Sequence, residues 1–279
     1  MMKRFWGMLS VEPEETGSVG LLLAISFFMG LFMATVAVAS QSLFLNFFSE
    51  KDDLTEAILY SGVFGIVTTY LYNFFQGRVQ FRVLAILNLI AIILLTAFIA
   101  FGSGYADAKF LYRFGFMLVL PFTFVTQLVF WGAFARMFNV RVAKRIVGSV
   151  DIGTTIASIL AFFAVPIILA SGIAVESLFN IGLGSIIIYL LLFIRLSNRY
   201  LTQEKLFVKS ESEIKKLSVG QFFGNKYIIM MSLFVIISTV ALRFIDYSFF
   251  NISTTKFDNE SLPYFLSFFE ATVVIFSFL

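Results

Sequence analysis

Two residue types are missing from this sequence, and charge is scarce. It contains no cysteine and no histidine, and only 13% of its 279 residues are charged, whereas soluble domains average about one quarter. The missing side chains exclude disulfides, thiolate or imidazole metal sites and Ser–His or Cys–His nucleophiles. A G-x-x-x-x-G-K-[ST] phosphate loop is missing as well. We therefore predict a protein that is not an enzyme and uses neither a metal nor another cofactor.

Apolar residues dominate what is present. Hydrophobic residues make up 59% of the sequence, 38 residues are Phe, and the mean hydropathy is +0.94. This composition is typical of membrane proteins. Residues 1–19 are too polar for the apolar region of a signal peptide, so we expect the first apolar run to stay in the membrane. The expected partner is a lipid bilayer, and no nucleic-acid partner is expected.

Long apolar runs predict the membrane helices. A helix needs about 20 mostly apolar residues to cross a bilayer. We predict an all-α integral membrane protein with seven complete helices, at 18–47, 55–76, 81–102, 110–138, 146–171, 175–196 and 226–254. An eighth run begins near residue 262 and has no closing flank. We therefore expect the sequence to be the N-terminal part of a longer protein.

The distribution of Lys and Arg predicts the orientation of these helices. Cations accumulate in cytoplasmic loops, and most of the 20 in this chain fall before helix 1, between helices 2 and 3, between helices 4 and 5, and after helix 6. The opposite side has only Lys51, Lys109, Arg113 and Lys256. We predict a cytoplasmic N-terminus in a bacterial-type inner (plasma) membrane.

The spacing of the helices predicts four segments. These are a cytoplasmic arm at 1–17, a six-helix bundle at 18–196, a cytoplasmic linker at 197–225 and the start of a second bundle at 226–279. Six helices, a long basic connection and further helices are the plan of major-facilitator-type transporters. The predicted fold is a major-facilitator-like helical bundle, with its N-terminal half followed by helix 7 and a truncated helix 8.

Three charged residues lie within the last apolar runs. Arg243 and Asp246 are three residues apart in helix 7 and share a face, and Glu270 is expected at a similar height on helix 8. Charges inside a bilayer normally face protein or water, so Arg243 could neutralise a solute while Asp246 or Glu270 couples a proton. Two alternatives stay open. Arg243 could extend to the outer headgroups with Asp246 as its exposed partner, or the charges could form a structural ion pair between helices 7 and 8.

Polar residues of helices 4 and 1 are further candidates for a solute cavity. Thr123, Gln127 and Trp131 are spaced four residues apart and share a face. Pro121 frees a backbone carbonyl near mid-membrane, where protein or water must satisfy it. This face could line a cavity together with Gln41 of helix 1. The alternative is hydrogen bonding between packed helices.

The densest charge cluster beside a membrane helix lies at 136–153. In one interpretation Arg141, Lys144, Arg145 and Asp151 form a cytoplasmic gate, in which the cations pair with Asp151 or with acids elsewhere. The cations could instead attract an anionic solute, or serve only to keep this loop in the cytoplasm.

Small residues predict where helices approach one another. Gly30 lies in helix 1, and Gly148 and Gly153 lie in helix 5. Glycine at a helix surface lets a neighbouring backbone come close. We therefore expect close contacts at all three positions.

Three stretches also carry a resemblance to a known family. They are FWGMLSVEPEETGSVGLLLAISFFMGLF at 5–32, FWGAFARMFNVRVAKRIVGSVDIGTTIASILAF at 130–162 and ALRFIDYSFFNISTTKFDNESLPYFLSFFEA at 241–271. They resemble the entry to helix 1, the fourth loop with helix 5, and helix 7 with its turn into helix 8 in the ATP/ADP translocase (nucleotide transporter) branch of the major facilitator superfamily. The resemblance implies a six-plus-six arrangement of helices, antiport and a nucleotide-like solute.

The sequence departs from that family near the end of helix 1. Characterised members place cations there for nucleotide phosphates, but residues 34–50 contain no basic residue. Arg113 and Arg243 are the remaining candidates for intramembrane cations. Because phosphates require Arg or Lys, this departure argues against a nucleotide as the solute.

Together these observations predict a secondary transporter that moves a small solute, with an anion favoured, by alternating access and with proton coupling. The alternative is a membrane sensor or scaffold without transport, which would contact a soluble partner or carry a C-terminal soluble domain. The sequence does not predict the oligomeric state.

Overall fold

A computed structural model describes residues 11–48, 51–102, 105–201 and 224–278. Within these ranges every regular element is a helix. The helices are α1 (Thr16–Phe47), α2 (Lys51–Gln76), α3 (Phe81–Phe101), α4 (Ala108–Met137), α5 (Val140–Ala170), α6 (Ser177–Tyr200), α7 (Lys226–Lys256) and α8 (Leu262–Phe278). Seven of them, α1 to α7, are long and apolar enough to cross a membrane, and α8 is a shorter apolar helix. The chain is therefore a multi-pass helical membrane protein.

The observed helix ends differ from the predicted ones mainly where polar residues extend a helix beyond its apolar run. α5 begins at Val140 rather than at 146, because the Asn139 side chain caps it by accepting from the Val142 amide at 3.0 Å. α6 continues to Tyr200, so the predicted linker at 197–225 begins later than expected. The rest of that linker, from 202 to 223, lies outside the described residues.

α1 is the central helix of the bundle. It packs against α4, α5, α6 and α8, and its side chains are buried along most of its length. Between membrane helices the driving force is close packing rather than the hydrophobic effect, because lipid tails are as apolar as the core. Small residues are therefore required where α1 meets its neighbours.

Two glycines form the crossing of α1 with α5. A Cβ placed on Gly30 would lie 2.4 Å from the Thr154 carbonyl oxygen, and one placed on Gly153 would lie 2.6 Å from the Leu23 carbonyl oxygen. Real Cβ atoms do not come this close to a backbone oxygen. The predicted close approach at Gly30 and Gly153 is confirmed.

The same prediction for Gly148 is wrong. A Cβ on this glycine would meet no atom within 4 Å. Five residues separate Gly148 from Gly153, a rotation of about 140° around the helix. Gly148 therefore points away from the face that packs on α1.

Contacts between helix ends show that consecutive helices run in opposite directions. Arg82, at the start of α3, contacts Asn198 near the end of α6, while Arg113, near the start of α4, contacts Glu56 near the start of α2. The starts of α1, α3, α5 and α7 thus share one end of the bundle with the ends of α2, α4 and α6. We call this the basic end, because most of the described Lys and Arg residues lie there. The other is the opposite end.

Aromatic rings join α7 and α8 to the rest of the bundle at the opposite end. Phe44 of α1 stacks on Phe116 of α4 at a centroid distance of 4.4 Å, and Phe116 meets Phe250 of α7 edge-on at 6.1 Å. Leu262 and Leu266 of α8 are buried in the same cluster. Ring pairs of this kind contribute about 0.5–1.5 kcal/mol each beyond surface burial. The phenylalanines therefore fix how α7 meets the bundle.

Candidate functional site

Arg243 and Asp246 form an ion pair within α7. The Arg243 Nη1 atom donates to Asp246 Oδ2 at 2.9 Å, across the i,i+3 spacing that the sequence indicates. Their side chains are 47% and 41% exposed. Arg243 lies about 24 Å along the helix from Tyr227. The pair therefore stands within the membrane-spanning helix, past its middle and toward the opposite end.

The turn between α7 and α8 brings Glu270 toward this pair. Phe249 of α7 stacks on Phe269 of α8 with centroids 4.1 Å apart. Asp246 lies one turn before Phe249 and Glu270 directly follows Phe269, so the two carboxyl groups come close enough to interact electrostatically. No hydrogen bond or salt bridge joins Glu270 to Arg243, both of which are described. Arg243 thus prefers the carboxylate of its own helix, and Glu270 remains half-buried nearby.

The threonines of the polar face of α7 bond within their own helix. The Thr239 hydroxyl donates to the Val235 carbonyl at 2.8 Å and the Thr254 hydroxyl donates to the Asn251 carbonyl at 3.0 Å. Thr123 of α4 does the same with Val119. Each hydroxyl proton is thus used in a hydrogen bond within its own helix, and the hydroxyl oxygen can still accept a hydrogen bond from another group.

The predicted face of α4 is partly buried against the core. Trp131 meets the rings of Phe130 and Phe134 edge-on, at 5.1 and 5.5 Å, and both rings are nearly fully buried. Gln127 and Thr123 are half-exposed on the same side of the helix. The helix continues through Pro121, which is itself buried. Trp131 therefore has a packing role at least.

A buried tyrosine links α6 to α4 close to this face. Tyr189 is fully buried and its hydroxyl donates to the Thr126 carbonyl at 3.1 Å. This contact was not among those predicted from the sequence. The only sign of it in the sequence is that the Tyr189 hydroxyl is the one polar side-chain group in the apolar run at 186–194. A single hydroxyl does not identify its partner. The hydrogen bond crosses between helices where a lipid environment makes such bonds favourable.

The half of α1 nearer the opposite end carries several unsatisfied polar atoms. Ser40 and Ser42 are fully buried, and among the described residues their hydroxyls have no hydrogen-bond partner. The side-chain carbonyl oxygens of Gln41 and Asn46 are also buried and unpaired. Buried polar atoms almost always have a partner, so these atoms are candidates for contact with a solute. The expectation that Gln41 lines a polar cavity stays a prediction.

Arg145, near the start of α5, binds the acidic residues that precede α1. Arg145 donates to both Oε atoms of Glu15 at 2.6 Å and also contacts Glu12. Asp151, Arg141 and Lys144 are exposed and make no salt bridge with the described residues. Arg145 therefore has acidic partners other than Asp151. The sequence signal was the acidic run EPEE at 12–15 just before helix 1, which our gate interpretation did not use.

Arg113 is neutralised by acidic residues at the start of α2. Its guanidinium lies 2.5 Å from Glu56 and 3.6 Å from Asp53. Both acids lie within the first two turns of α2, where a carboxylate is favoured by the helix dipole. Because Arg113 lies near the start of α4 and its two acidic partners lie near the start of α2, Arg113 stands at the rim of the bundle.

The turn before α8 is fixed by an Asx motif. Ser261 donates to the Asp258 carboxylate from its backbone amide at 2.9 Å, and its hydroxyl contacts the same oxygen. These hydrogen bonds favour the charged form, so they hold the pKa of Asp258 below its usual value.

No family model, curated protein or solved structure matches this chain. The geometry therefore defines the protein as a multi-pass helical membrane protein with a charge pair in its seventh helix. The resemblance to nucleotide transporters stays a prediction.

Proposed function

We propose that the protein is a secondary transporter that moves a small solute, with an anion favoured, across a membrane by alternating access. The observation that carries the proposal is the Arg243–Asp246 pair within α7, with Glu270 of α8 beside it. Charges at this depth are costly and are typical of transport and proton pathways. Helices that serve only to anchor a protein in the membrane need none of these three charged residues.

Each of the three charged residues has a distinct role in this proposal. Arg243 binds the negatively charged group of the solute, which replaces Asp246 as the partner of the guanidinium. Asp246 then loses the cation that favours its charged form, so it binds a proton more readily. Glu270, which follows Phe269 on the adjacent helix α8, is the second carrier of that proton in this proposal. Solute binding and proton binding are thereby coupled in the same site.

The unpaired polar atoms of α1 support a route to this site. Ser40, Gln41, Ser42 and Asn46 lie in the half of α1 that packs nearer α7 and α8. Asn46 also donates to the Asn259 carbonyl, in the turn between α7 and α8. We place the solute path between α1, α4 and α7, with Gln41 on α1 and Thr123, Gln127 and Trp131 on α4. The basic end faces the cytoplasm, and the bundle is the first half of a major-facilitator-like fold.

Reconstituted vesicles test this proposal. The purified protein is inserted into liposomes that contain a pH-sensitive dye, and a panel of small carboxylates and phosphates, ADP included, is added outside. We expect at least one anion to cause internal acidification with the wild type, and R243Q to reduce its rate at least tenfold. The matched control is K256Q, because Lys256 lies at the end of the same helix. Equal rates for R243Q and the wild type would remove Arg243 from the mechanism.

A sensor or scaffold without transport is the second candidate. The observation in its favour is the uncovered surface of α7, where the described helices leave most large apolar side chains exposed, among them Met230, Phe234, Ile237, Phe244 and Ile245. A helix of this kind can serve as a contact for another membrane segment. If no anion of the panel crosses the vesicles while R243Q weakens self-association or capture of a membrane partner, this second function is favoured.

A further inference from the structure

A groove opens on α6 at the basic end, away from the charge pair of α7. It is lined by Leu191, Leu192, Ile194, Arg195, Asn198 and Arg199. Arg195 and Arg199 are four residues apart and follow the same helix face, about 6 Å apart along the axis. Both are exposed. The groove therefore has two guanidinium groups nearer the basic end and apolar side chains nearer the middle of the membrane.

A third guanidinium reaches the rim of this groove from α3. Arg82 donates through Nη2 to the Asn198 side-chain carbonyl oxygen, which ties the start of α3 to the end of α6. Among the described residues, no carboxylate lies within 4 Å of Arg82, Arg195 or Arg199. This contrasts with Arg113 and Arg145, each of which has two acidic partners. Relative to the described carboxylates, the groove thus has a concentration of unpaired positive charge.

Apolar side chains continue from the groove toward the middle of the membrane. Ile187, Ile188 and Leu191 are 39%, 39% and 60% exposed, and they precede Arg195 on the outer face of α6. A soluble anion makes no favourable contact with such an apolar surface, whereas an acyl chain packs along it. The order of the two kinds of side chain, apolar and then cationic, matches the order of tail and headgroup in a phospholipid.

We propose that this groove binds an anionic phospholipid, with its phosphate held by Arg195 and Arg199, Arg82 at the rim, and one acyl chain along Leu191 and Ile188. Arginine can bind phosphate through two parallel N–H groups, which makes it well suited to this role. Basic residues near an anionic leaflet also gain electrostatic attraction. The bound lipid would occupy the seam between α3 and α6 and support their packing.

Lipid retention by the purified full-length protein tests the proposal. The protein in neutral detergent is titrated with phosphatidylglycerol or with phosphatidylcholine, and native mass spectrometry counts the bound lipids. We expect the wild type to prefer phosphatidylglycerol and R195Q/R199Q to lose about tenfold or more in apparent affinity for it, given the attraction of each basic residue near the surface. R82Q is expected to lose less, because Arg82 lies at the rim.

The matched control is R141Q/K226Q, which removes two exposed cations of the basic end outside the groove. It is expected to retain phosphatidylglycerol as the wild type does, and all variants must elute as folded protein. Equal losses in the control and the groove variant would overturn the proposal, because the attraction would then belong to the whole basic end. Equal binding of the two lipids would also overturn it. Displacement of the lipid by millimolar inorganic phosphate would assign the site to a soluble anion instead.

Discussion

At the scale of residues, the molecule distinguishes between cations that have an acidic partner and cations that do not. Arg113, Arg145 and Arg243 each bind carboxylates, at the rim of α2, in the N-terminal arm and within α7 respectively. Arg195 and Arg199 have no such partner among the described residues. The pairs of Arg113 and Arg145 lie at the ends of the bundle, where exposed ion pairs contribute little to stability, roughly 0–1 kcal/mol. Their main effect is therefore to fix the position of the arginine side chain.

The turn before α8 gives a pH-dependent prediction. Because the folded-state pKa of Asp258 is below its ordinary value, its contribution to stability is present above the ordinary pKa and is lost as pH falls through the lowered pKa. We expect wild type and D258N to differ in melting temperature at neutral pH and to converge in acid. The measurement is thermal unfolding in detergent across a pH series. A difference that stays constant down to strongly acidic pH would contradict this assignment.

At the scale of elements, the crossing of α1 and α5 depends on the absence of a Cβ. Gly30 and Gly153 bring the two backbones together, and the long runs of large apolar residues on either side cannot do so. Sequence periodicity does not identify this pair. Both glycines are visible in the sequence, but so is Gly148, and only the rotation of α5 separates them.

The two glycines of α5 form a matched pair of substitutions. G153A places a methyl group against the Leu23 carbonyl and the Ser26 hydroxyl, and such overpacking typically costs about 1–3 kcal/mol. G148A meets nothing within 4 Å and is expected to be neutral or to stabilise by up to about 1 kcal/mol through helix propensity. Denaturant unfolding in micelles measures both. The assignment of the crossing fails if G148A is the more destabilising change.

The contact between α5 and the N-terminal arm gives a prediction about accessibility. Arg145 holds Glu12 and Glu15, whereas Lys144 is exposed and holds neither. R145Q is therefore expected to expose these two positions to a protease that cleaves after glutamate. We expect cleavage there to be several times faster in R145Q than in K144Q, with little change in global stability because the ion pairs are exposed.

The readout for this comparison is the rate of cleavage in vesicles whose basic end is accessible, followed by mass spectrometry of the released fragments. Wild-type protein and K144Q should match each other. Equal cleavage of R145Q and K144Q would show that the ion pairs do not hold the arm.

At the scale of the whole molecule, the bundle has a basic end and an opposite end. Arg78, Arg82, Arg136 and Arg141 lie at the first, while Lys109 and Arg113 lie at the second near several acids. Cationic loops stay in the cytoplasm during insertion. The orientation proposed for the protein follows from this asymmetry.

The absence of cysteine from the sequence makes the orientation easy to test. A single cysteine introduced at Arg141 reports on the basic end, and one at Asn259 reports on the opposite end. In intact cells, an impermeant maleimide should label N259C and should label R141C only after the membrane is opened. Labelling of R141C in intact cells would reverse the proposed orientation.

Within the part of the chain that the structure describes, the sequence by itself determined which segments span the membrane, most of their limits and the polarity of the two ends. These properties depend on local quantities, namely the length of an apolar run and the charges next to it, and local quantities can be counted along a chain. The shared helix face of Arg243 and Asp246 belongs to the same class, because both residues lie on one helix.

Only the tertiary structure decided which helices touch and which polar groups find partners between them. It placed α1 at the centre, gave Arg145 the acids of the N-terminal arm, joined Tyr189 to Thr126 and turned Gly148 away from the core. These contacts depend on how each helix is rotated about its axis. Apolar membrane helices carry little record of that rotation in their sequence, because lipid and protein core favour the same side chains.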